Sequence, residues 1–418
     1  MSDFDLIVKG ARVVTCDGPD GVSPRERLGI LDRGAICVRG DRIAWVGRER
    51  DLPLARARRH LDAEGRVVLP GLVDPHTHLV FAGSRVDEFA RKMAGEDYRA
   101  IAAAGGGIAS TVRATRAATD GALFDATAAR ALALRDRGVT SVEIKSGYGL
   151  SIEQELRCLA IARAIDAQSV LHVTTSLLGA HAVPPERKDD REGYVREVAE
   201  EMIPEAARHG LADACDVYLD ENAFDRAEAE RVLRAAKEAG LRVRAHVGQF
   251  TDLGGAELVA ELGGLSCDHL EQVSDAGLDA MAAAGVVAVL LPGAWRTLRQ
   301  AAPDAARMRA RGVRVAVGTD CNPGTSPCVD LPACAALAVR DAGLGVEEAV
   351  LAITVEAARA AGLPDAGRIA PGMRAHLARY DEDDPRVLAY ALSGPRARAV
   401  VLGGRVAQMQ TDPRVGLW

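Results

Sequence analysis

Pro70-Gly-Leu-Val-Asp-Pro-His-Thr-His78 is the stretch whose reading decides the fold of this chain. A short apolar run ends in two histidines separated by one residue, so on an extended backbone both imidazoles face the same way. Two imidazoles on one face can hold a metal ion, with a third histidine and a carboxylate completing the shell. The other reading of His-x-His alone is a pair of hydrogen-bonded polar side chains near a strand end. What lies on either side of the stretch bears on the choice.

Downstream, apolar strand-like runs recur near residues 72–78, 139–145, 169–176, 214–219, 241–246, 265–269, 287–291 and 313–319. Helix-periodic stretches such as 122–137, 152–167, 226–239 and 254–262 separate them. Strands alternating with helices over about 300 residues imply parallel βα units, and eight such units fit a (β/α)8 barrel. An α/β chain is therefore expected, with a TIM-like barrel spanning residues 66–372. An open doubly wound sheet is the competing architecture. Against it, no G-x-G-x-x-G follows the first strand, and Gly105-Gly-Gly107 lacks a strand before it.

Upstream, and again at the far end, the pattern changes. Asp5–Lys9, Ala11–Thr15, Ala35–Arg39 and Arg42–Val46 read as short strands, with Gly10, Gly34, Gly40 and Gly47 beside them where turns want glycine. His376–Tyr380 and Ala399–Leu402 look similar. Two β-rich ends around a different middle predict one small β-sandwich domain built from residues 1–65 and 373–418.

The bulk properties exclude several classes. With 418 residues, 48% hydrophobic and 27% charged, the chain is long enough for a barrel plus an accessory domain, and its composition is not that of a disordered protein. A net charge of −7, with basic residues interleaved among acids as in Arg187-Lys-Asp-Asp-Arg191, argues against a nucleic-acid partner. The N-terminus carries acids where a signal peptide needs basic and apolar residues, and no run reaches the roughly 18 apolar residues of a membrane span. A cytoplasmic protein without a membrane partner is expected. None of the eight cysteines forms a C-x-x-C pair, so they read as reduced core residues.

Catalytic groups of a barrel cluster at the C-terminal ends of its strands. In this strand count His76 and His78 end the first strand, His246 the fifth, His269 the sixth and Asp320 the eighth, from a chain holding only nine histidines. His76, His78, His246 and Asp320 are accordingly the candidate metal ligands. A carboxylate beside a metal can also accept a proton from water, which gives Asp320 a second role. His269 alone would pass for a satisfied core histidine, and Asp320 alone for a turn-stabilising residue. Lys145 ends the second strand; carbamylation to bridge two metals is conceivable there, and a structural or electrostatic role is preferred.

These motifs resemble the amidohydrolase superfamily and, more specifically, the imidazolonepropionase family of histidine degradation. The similar segments are Pro70–His78, Leu79-Val-Phe-Ala-Gly-Ser-Arg85, Ala104–Arg116, Val142-Glu-Ile-Lys-Ser-Gly-Tyr-Gly-Leu150, Leu178–Glu186 and Thr319-Asp-Cys-Asn-Pro-Gly-Thr-Ser-Pro327. The resemblance runs from about residue 5 to about residue 405. It implies hydrolysis of the ring C–N bond of 4-imidazolone-5-propanoate to N-formimidoyl-L-glutamate. It also implies one divalent or trivalent metal ion per subunit, zinc or iron, and a homodimer. Arg85 resembles the residue that grips the substrate's propionate, a task suited to a guanidinium fork. Tyr98, Tyr148 and His181 resemble pocket residues, and Gln249 the side chain that recognises the ring amide. Asn322, Gly324 and Thr325 match a loop that contacts substrate and product. His269 resembles the histidine that polarises the carbonyl or positions water, completing a catalytic set of Asp320, His269 and Gln249.

Several positions depart from the family pattern: Gly248 for an acid, Trp295-Arg296 for an aromatic pair, Asp220 for a glutamate and His376 for an aspartate. The change at Trp295-Arg296 follows the seventh strand and bears on specificity. An aminohydrolase acting on a purine or pyrimidine is the alternative enzyme. A metal-free scaffold is the alternative from another class, and the presence of all four candidate ligands counts against it.

Overall fold

The computed structural model describes residues 3–96 and 106–410. Five strands open the chain: β1 (Phe4–Val14), β2 (Ile30–Arg39), β3 (Arg42–Arg48), β4 (Ala57–Asp62) and β5 (Val67–Pro70). The middle supplies β6 (Leu72–Asp74), β7 (Val139–Lys145), β8 (His172–Ala180), β9 (Ala214–Leu219) and β10 (Arg242–Val243). It continues with β11 (Ala245–Val247), β12 (Ser266–His269), β13 (Val287–Leu290) and β14 (Val315–Val317). Then come β15 (Leu377–Arg379), β16 (Ala399–Leu402) and β17 (Arg405–Met409).

The middle strands form one parallel sheet in the order β6-β7-β8-β9-β11-β12-β13-β14. β10 also pairs with β9, so β10 and β11 are one strand interrupted at Arg244. That sheet is the expected (β/α)8 barrel. Its ends meet through a parallel bridge between Thr77 and Cys321. The Asp320 N–H donates to the His76 carbonyl at 3.0 Å, and the His78 N–H to the Cys321 carbonyl at 3.0 Å. Every residue of β7 is buried, as expected of a parallel strand covered on both faces.

Helices cover the outside because their apolar residues recur at helical spacing. The helix Arg226–Glu238 buries Ala229, Val232, Leu233 and Ala236, a single stripe, and begins at a capping box made by Asp225 and Glu228. Truncating Leu233 to alanine in that stripe would cost about 2–5 kcal/mol. The helix expected at 152–167 runs Ile152–Ala167, and that expected at 122–137 runs Asp120–Asp136.

Both chain ends contribute to the second sheet, of eight strands, in the order β17-β16-β15-β5-β1-β2-β3 with β4 also on β1. Leu6, Val8, Ile36, Leu61, Val68, Leu377 and Val401 pack into one core beneath it. The two strands expected at 5–9 and 11–15 are a single strand, β1. Its register against β2 shifts between Val8 and Ala11, so Gly10 sits in a bulge rather than a turn.

The chain crosses from this sheet into the barrel at Gly71, between β5 and β6. A Cβ at Gly71 would lie 2.1 Å from Thr140 Oγ1, so only glycine lets the two sheets meet there. The division expected at residue 65/66 would put β5 with the barrel, whereas β5 pairs with β1 and β15 in the terminal sheet. The first barrel strand is also shorter than the expected 72–78. His76 and His78 lie beyond β6, on extended chain held by Thr77, whose carbonyl accepts from Lys145 N–H at 2.9 Å.

Candidate metal centre and active site

Strand ends bring four side chains to one point. His246 Nε2 lies 3.4 Å from His78 Nε2. Asp320 Oδ1 lies 3.4 Å from Nε2 of both His76 and His78. The ligand-capable atoms of His76, His78 and His246 all fall within 4.8 Å of one another, and all three residues are buried. His76 Nε2 is buried without a hydrogen-bond partner. A buried ring nitrogen without a partner costs free energy unless something outside the chain meets it. Three imidazole nitrogens with a carboxylate oxygen beside them fit a single metal ion. Burial, reinforced by Lys145 and by neighbouring imidazoles, holds all three histidines well below their ordinary pKa, so the rings are neutral, the state a metal ligand requires.

The far side of two of the three rings, those of His76 and His246, is anchored by a carboxylate. His76 Nδ1 is 2.6 Å from Asp268 Oδ2, and His246 Nδ1 is 3.0 Å from Asp216 Oδ1. A carboxylate there holds the Nδ1–H tautomer and aims the Nε2 lone pair at the shared centre. Beneath the carboxylates lie two buried cations. Arg244 Nη2 donates to Asp268 at 2.8 Å and to the Pro75 carbonyl at 2.7 Å. Lys145 Nζ sits 2.7 Å from Asp216 and 3.0 Å from Glu143.

Left-handed backbone at non-glycine residues occurs at this rim. Asp320 has φ 51°, and His269 and Leu270 have φ 83° and 72°. Non-glycine residues hold such angles only where the surroundings over-determine them. Burial pushes the Asp320 carboxyl up to about 7, against the lowering influence of His269. His269 has its ring centroid 5.5 Å from that of His246, and its Nδ1 is 3.7 Å from Glu271 Oε1. Burial disfavours the charged imidazole, but the Glu271, Asp320 and Asp268 carboxylates together outweigh it and the net direction is upward.

Around the centre stand the residues expected to meet a substrate. Tyr148 packs its ring 5.9 Å from His78 and 5.4 Å from His181. His181 stacks on His78 at 5.3 Å, and its Nδ1 donates to the Gly147 carbonyl at 2.9 Å, which leaves Nε2 as the acceptor. Burial lowers the His181 pKa to about 4, so the ring is neutral. Gln249 accepts the Tyr218 hydroxyl on Oε1 at 2.7 Å. Arg85 donates to Glu88 at 2.9 Å and passes so close to Gly324 that a Cβ there would lie 2.1 Å from Nη1. Asn322 works inside its own loop. Its Oδ1 accepts from the N–H groups of Gly324 and Thr325, both at 2.8 Å, and its Nδ2 donates to the Asp320 carbonyl at 2.7 Å. Tyr98 lies outside the described residues.

The departures from the family pattern find local explanations. Trp295 is buried with Nε1 donating to Asp341, and Arg296 forks onto the same carboxylate, so both are anchored to the helix Leu331–Ala342. Gly248 has φ 64°, a left-handed angle that suits glycine better than an acid. Asp220 accepts the Phe250 N–H at 2.9 Å, and His376 accepts the Gly403 N–H at 3.0 Å.

Sequence reading did not single out Asp216, Asp268, Glu143 or Arg244 as site residues, nor Tyr218 and Glu271. The available signal was a charge inside an apolar central strand: Asp216 in Ala-Cys-Asp-Val-Tyr-Leu, Asp268 in Ser-Cys-Asp-His, Glu143 in Val-Glu-Ile-Lys. A charge buried there must have a partner.

A barrel carrying a buried three-histidine cluster with an aspartate at the C-terminal rim defines the amidohydrolase class. The model of the amidohydrolase family matches residues 96–408. An imidazolonepropionase of Acidiphilium cryptum is 48% identical over 402 residues, covering 96% of this chain and 98% of that protein. One from Caulobacter vibrioides is 48% identical over 370 residues, covering 88% and 92%. Among solved structures, an adenosine deaminase from Xanthomonas campestris with bound zinc superposes with TM-score 0.72 at 21% identity, over 97% of this chain and 93% of that one. That last likeness speaks to the fold. The chain belongs to the imidazolonepropionase family of amidohydrolases.

Proposed function

We propose that this chain hydrolyses 4-imidazolone-5-propanoate to N-formimidoyl-L-glutamate. The observation that carries the reading is 45–48% identity to curated imidazolonepropionases over 88–96% of the chain. The convergent His76, His78, His246 and Asp320 supply a site able to perform the reaction.

In this reading those four residues hold one metal ion, zinc or iron, since the donor set suits either. When bound, the ion supplies Lewis acidity, which acidifies water and polarises a carbonyl oxygen. Arg85 grips the propionate through its guanidinium fork and so fixes the ring over the cluster. Gln249, held by Tyr218, addresses the ring amide, while Tyr148 and His181 wall the ring and its neighbouring nitrogen. Asp320 takes a proton from the attacking water as the C–O bond forms, and returns it to the ring nitrogen as the C–N bond breaks. His269, braced by Glu271, donates toward the oxygen that gains charge. Asn322, Gly324 and Thr325 shape the loop that borders substrate and product, and Tyr98 completes the pocket by resemblance.

Among the described residues no helix is long and apolar enough to cross a membrane. We place the enzyme in the cytoplasm, acting on a small molecule without nucleic acid, as a homodimer. Light scattering tests that last point. The decisive assay is loss of imidazolonepropionate absorbance on adding the zinc- or iron-loaded protein. A fully metallated sample that leaves fresh substrate intact, or that turns over a purine or pyrimidine instead, refutes the assignment.

A further inference from the structure

We propose that Lys145 is a positioning residue for the metal centre: a free ammonium that secures the carboxylates that aim His246 and His76. The inference rests on the metal reading above.

Lys145 ends β7, a strand that contributes none of the four candidate ligands. Its Nζ lies 2.7 Å from Asp216 Oδ2, 3.0 Å from Glu143 Oε1 and 3.8 Å from Asp268 Oδ2. The side chain is wholly buried, as are all three carboxylates. Asp216 divides its oxygens: Oδ1 meets His246 Nδ1 and Oδ2 meets Lys145. Asp268 meets His76 Nδ1 at 2.6 Å and takes its closest cation, Arg244, at 2.8 Å. Each ring-orienting carboxylate thus has its own near cation. Lys145 also reaches toward the second carboxylate, and Arg244 Nε lies 3.8 Å from Asp216.

Burying a lone ammonium is costly, and burying two carboxylates without cations is costlier. Together they form one rigid unit whose output is the direction of two Nε2 lone pairs. The three neighbouring carboxylates also decide the state of the amine. A carbamylated lysine is an anion, and it would face three carboxylates at close range in a buried site. An ammonium has the opposite charge and donates to Glu143 Oε1 at 3.0 Å.

Removing Lys145 deprives Asp216 Oδ2 of its nearest cation and loosens the partner of His246 Nδ1. Loss of such an outer partner weakens metal binding by about 10–100-fold. The test is chelator competition for Zn2+ on wild type, Lys145→Met, the double variant Lys145→Met/Glu143→Gln, and Tyr380→Phe. Tyr380 is a buried control outside the site, whose hydroxyl donates to the Arg137 carbonyl at 2.7 Å. The double variant removes one cation and one anion, keeps the buried net charge, and decides the matter if Lys145→Met does not fold.

The expected result is Zn2+ binding at least about tenfold weaker in both lysine variants. Tyr380→Phe loses thermal stability with unchanged affinity. A visible spectrum of the Co2+-loaded lysine variants should also differ from wild type, reporting altered ligand geometry. Folded lysine variants that bind Zn2+ as tightly as wild type overturn the proposal while leaving the metal reading intact. A wild type that fails to bind Zn2+ overturns both. Wild-type affinity that rises with added bicarbonate overturns the free ammonium.

Discussion

Gly324→Ala is a perturbation whose outcome follows from one close approach. Gly324 does not occupy a left-handed conformation, so alanine is acceptable to the backbone; the added Cβ would lie 2.1 Å from Arg85 Nη1 and 2.8 Å from Cζ. Non-bonded atoms need about 3.5 Å, so the guanidinium must withdraw by more than about 1 Å. The yielding atoms are the far end of a flexible side chain, and stability should change little. Function should change a great deal. A misplacement of about 1 Å in a substrate-positioning group costs up to 10²-fold, and a lost charge-assisted contact about 1.5–3 kcal/mol, or roughly 10–150-fold. We expect kcat/KM for imidazolonepropionate to fall by about 10–100-fold, mainly through KM because the propionate is remote from the bond that breaks. The control is the ring bearing a methyl group in place of the propionate, on which wild type and variant should be equally slow. Unchanged kcat/KM in a well-folded variant, or equal losses on both substrates, would refute the assignment of Arg85 to the carboxylate.

Three further outcomes are expected. Burial, helped by the nearby His172, lowers the pKa of His376 to about 3, so the folded protein holds this imidazole neutral while the unfolded chain takes a proton below about 6.5. Its contribution is complete above the unfolded value and is lost as pH falls toward 3. Chemical unfolding from pH 6.5 to 4 should lose up to about 1.4 kcal/mol per pH unit more in wild type than in His376→Asn, and equal slopes would refute it. Gly71→Ala, which sets a methyl 2.1 Å from Thr140 Oγ1 at the junction of the two sheets, should cost about 1–3 kcal/mol in thermal unfolding without shifting the metal affinity. Metal at a hundredfold excess over its Kd should stabilise the protein by about 2.7 kcal/mol over the chelated form, an effect absent from His246→Ala.

The barrel was legible because parallel strands buried on both faces are written as apolar runs, and the runs at 139–145, 214–219 and 287–291 are matched closely by β7, β9 and β13. The four-residue cluster was legible because strand ends define one rim, so residues far apart in sequence could be assigned to one place before any distance was known. Less visible was the support beneath it. Asp216 and Asp268 look like ordinary acids until the partner strand is known, because the imidazole each one meets lies 30 and 192 residues away. Glu271 was hidden for a different reason. Two consecutive left-handed residues, His269 and Leu270, turn the chain after β12, and no residue type announces that turn. The interruption of the fifth strand at Arg244 was equally unreadable, since a charged residue there looks like the strand's outer face. Instead it lies inside, paired to Asp268 and to the Pro75 carbonyl.

The position of the metal cluster also explains why a single motif could decide the fold. A barrel built from a linear chain has one seam, where its first and last strands must pair across the greatest separation in sequence. Here the seam is the site. Asp74 in the opening motif accepts the Thr319 hydroxyl at 2.6 Å and the Thr319 N–H at 3.1 Å, and the Asp320 N–H bonds the His76 carbonyl. These contacts fix the register of β6 against β14, and the same register brings Asp320 Oδ1 to 3.4 Å from both His76 and His78. A slip of one residue would turn the histidines away from the aspartate. Closure of the barrel and assembly of the ligand set are therefore one event. Changes at Asp74 or Thr319, neither of which is among the candidate ligands, should weaken both metal binding and the stability of the metal-free barrel, whereas changes at His78 should weaken metal binding and spare the metal-free barrel.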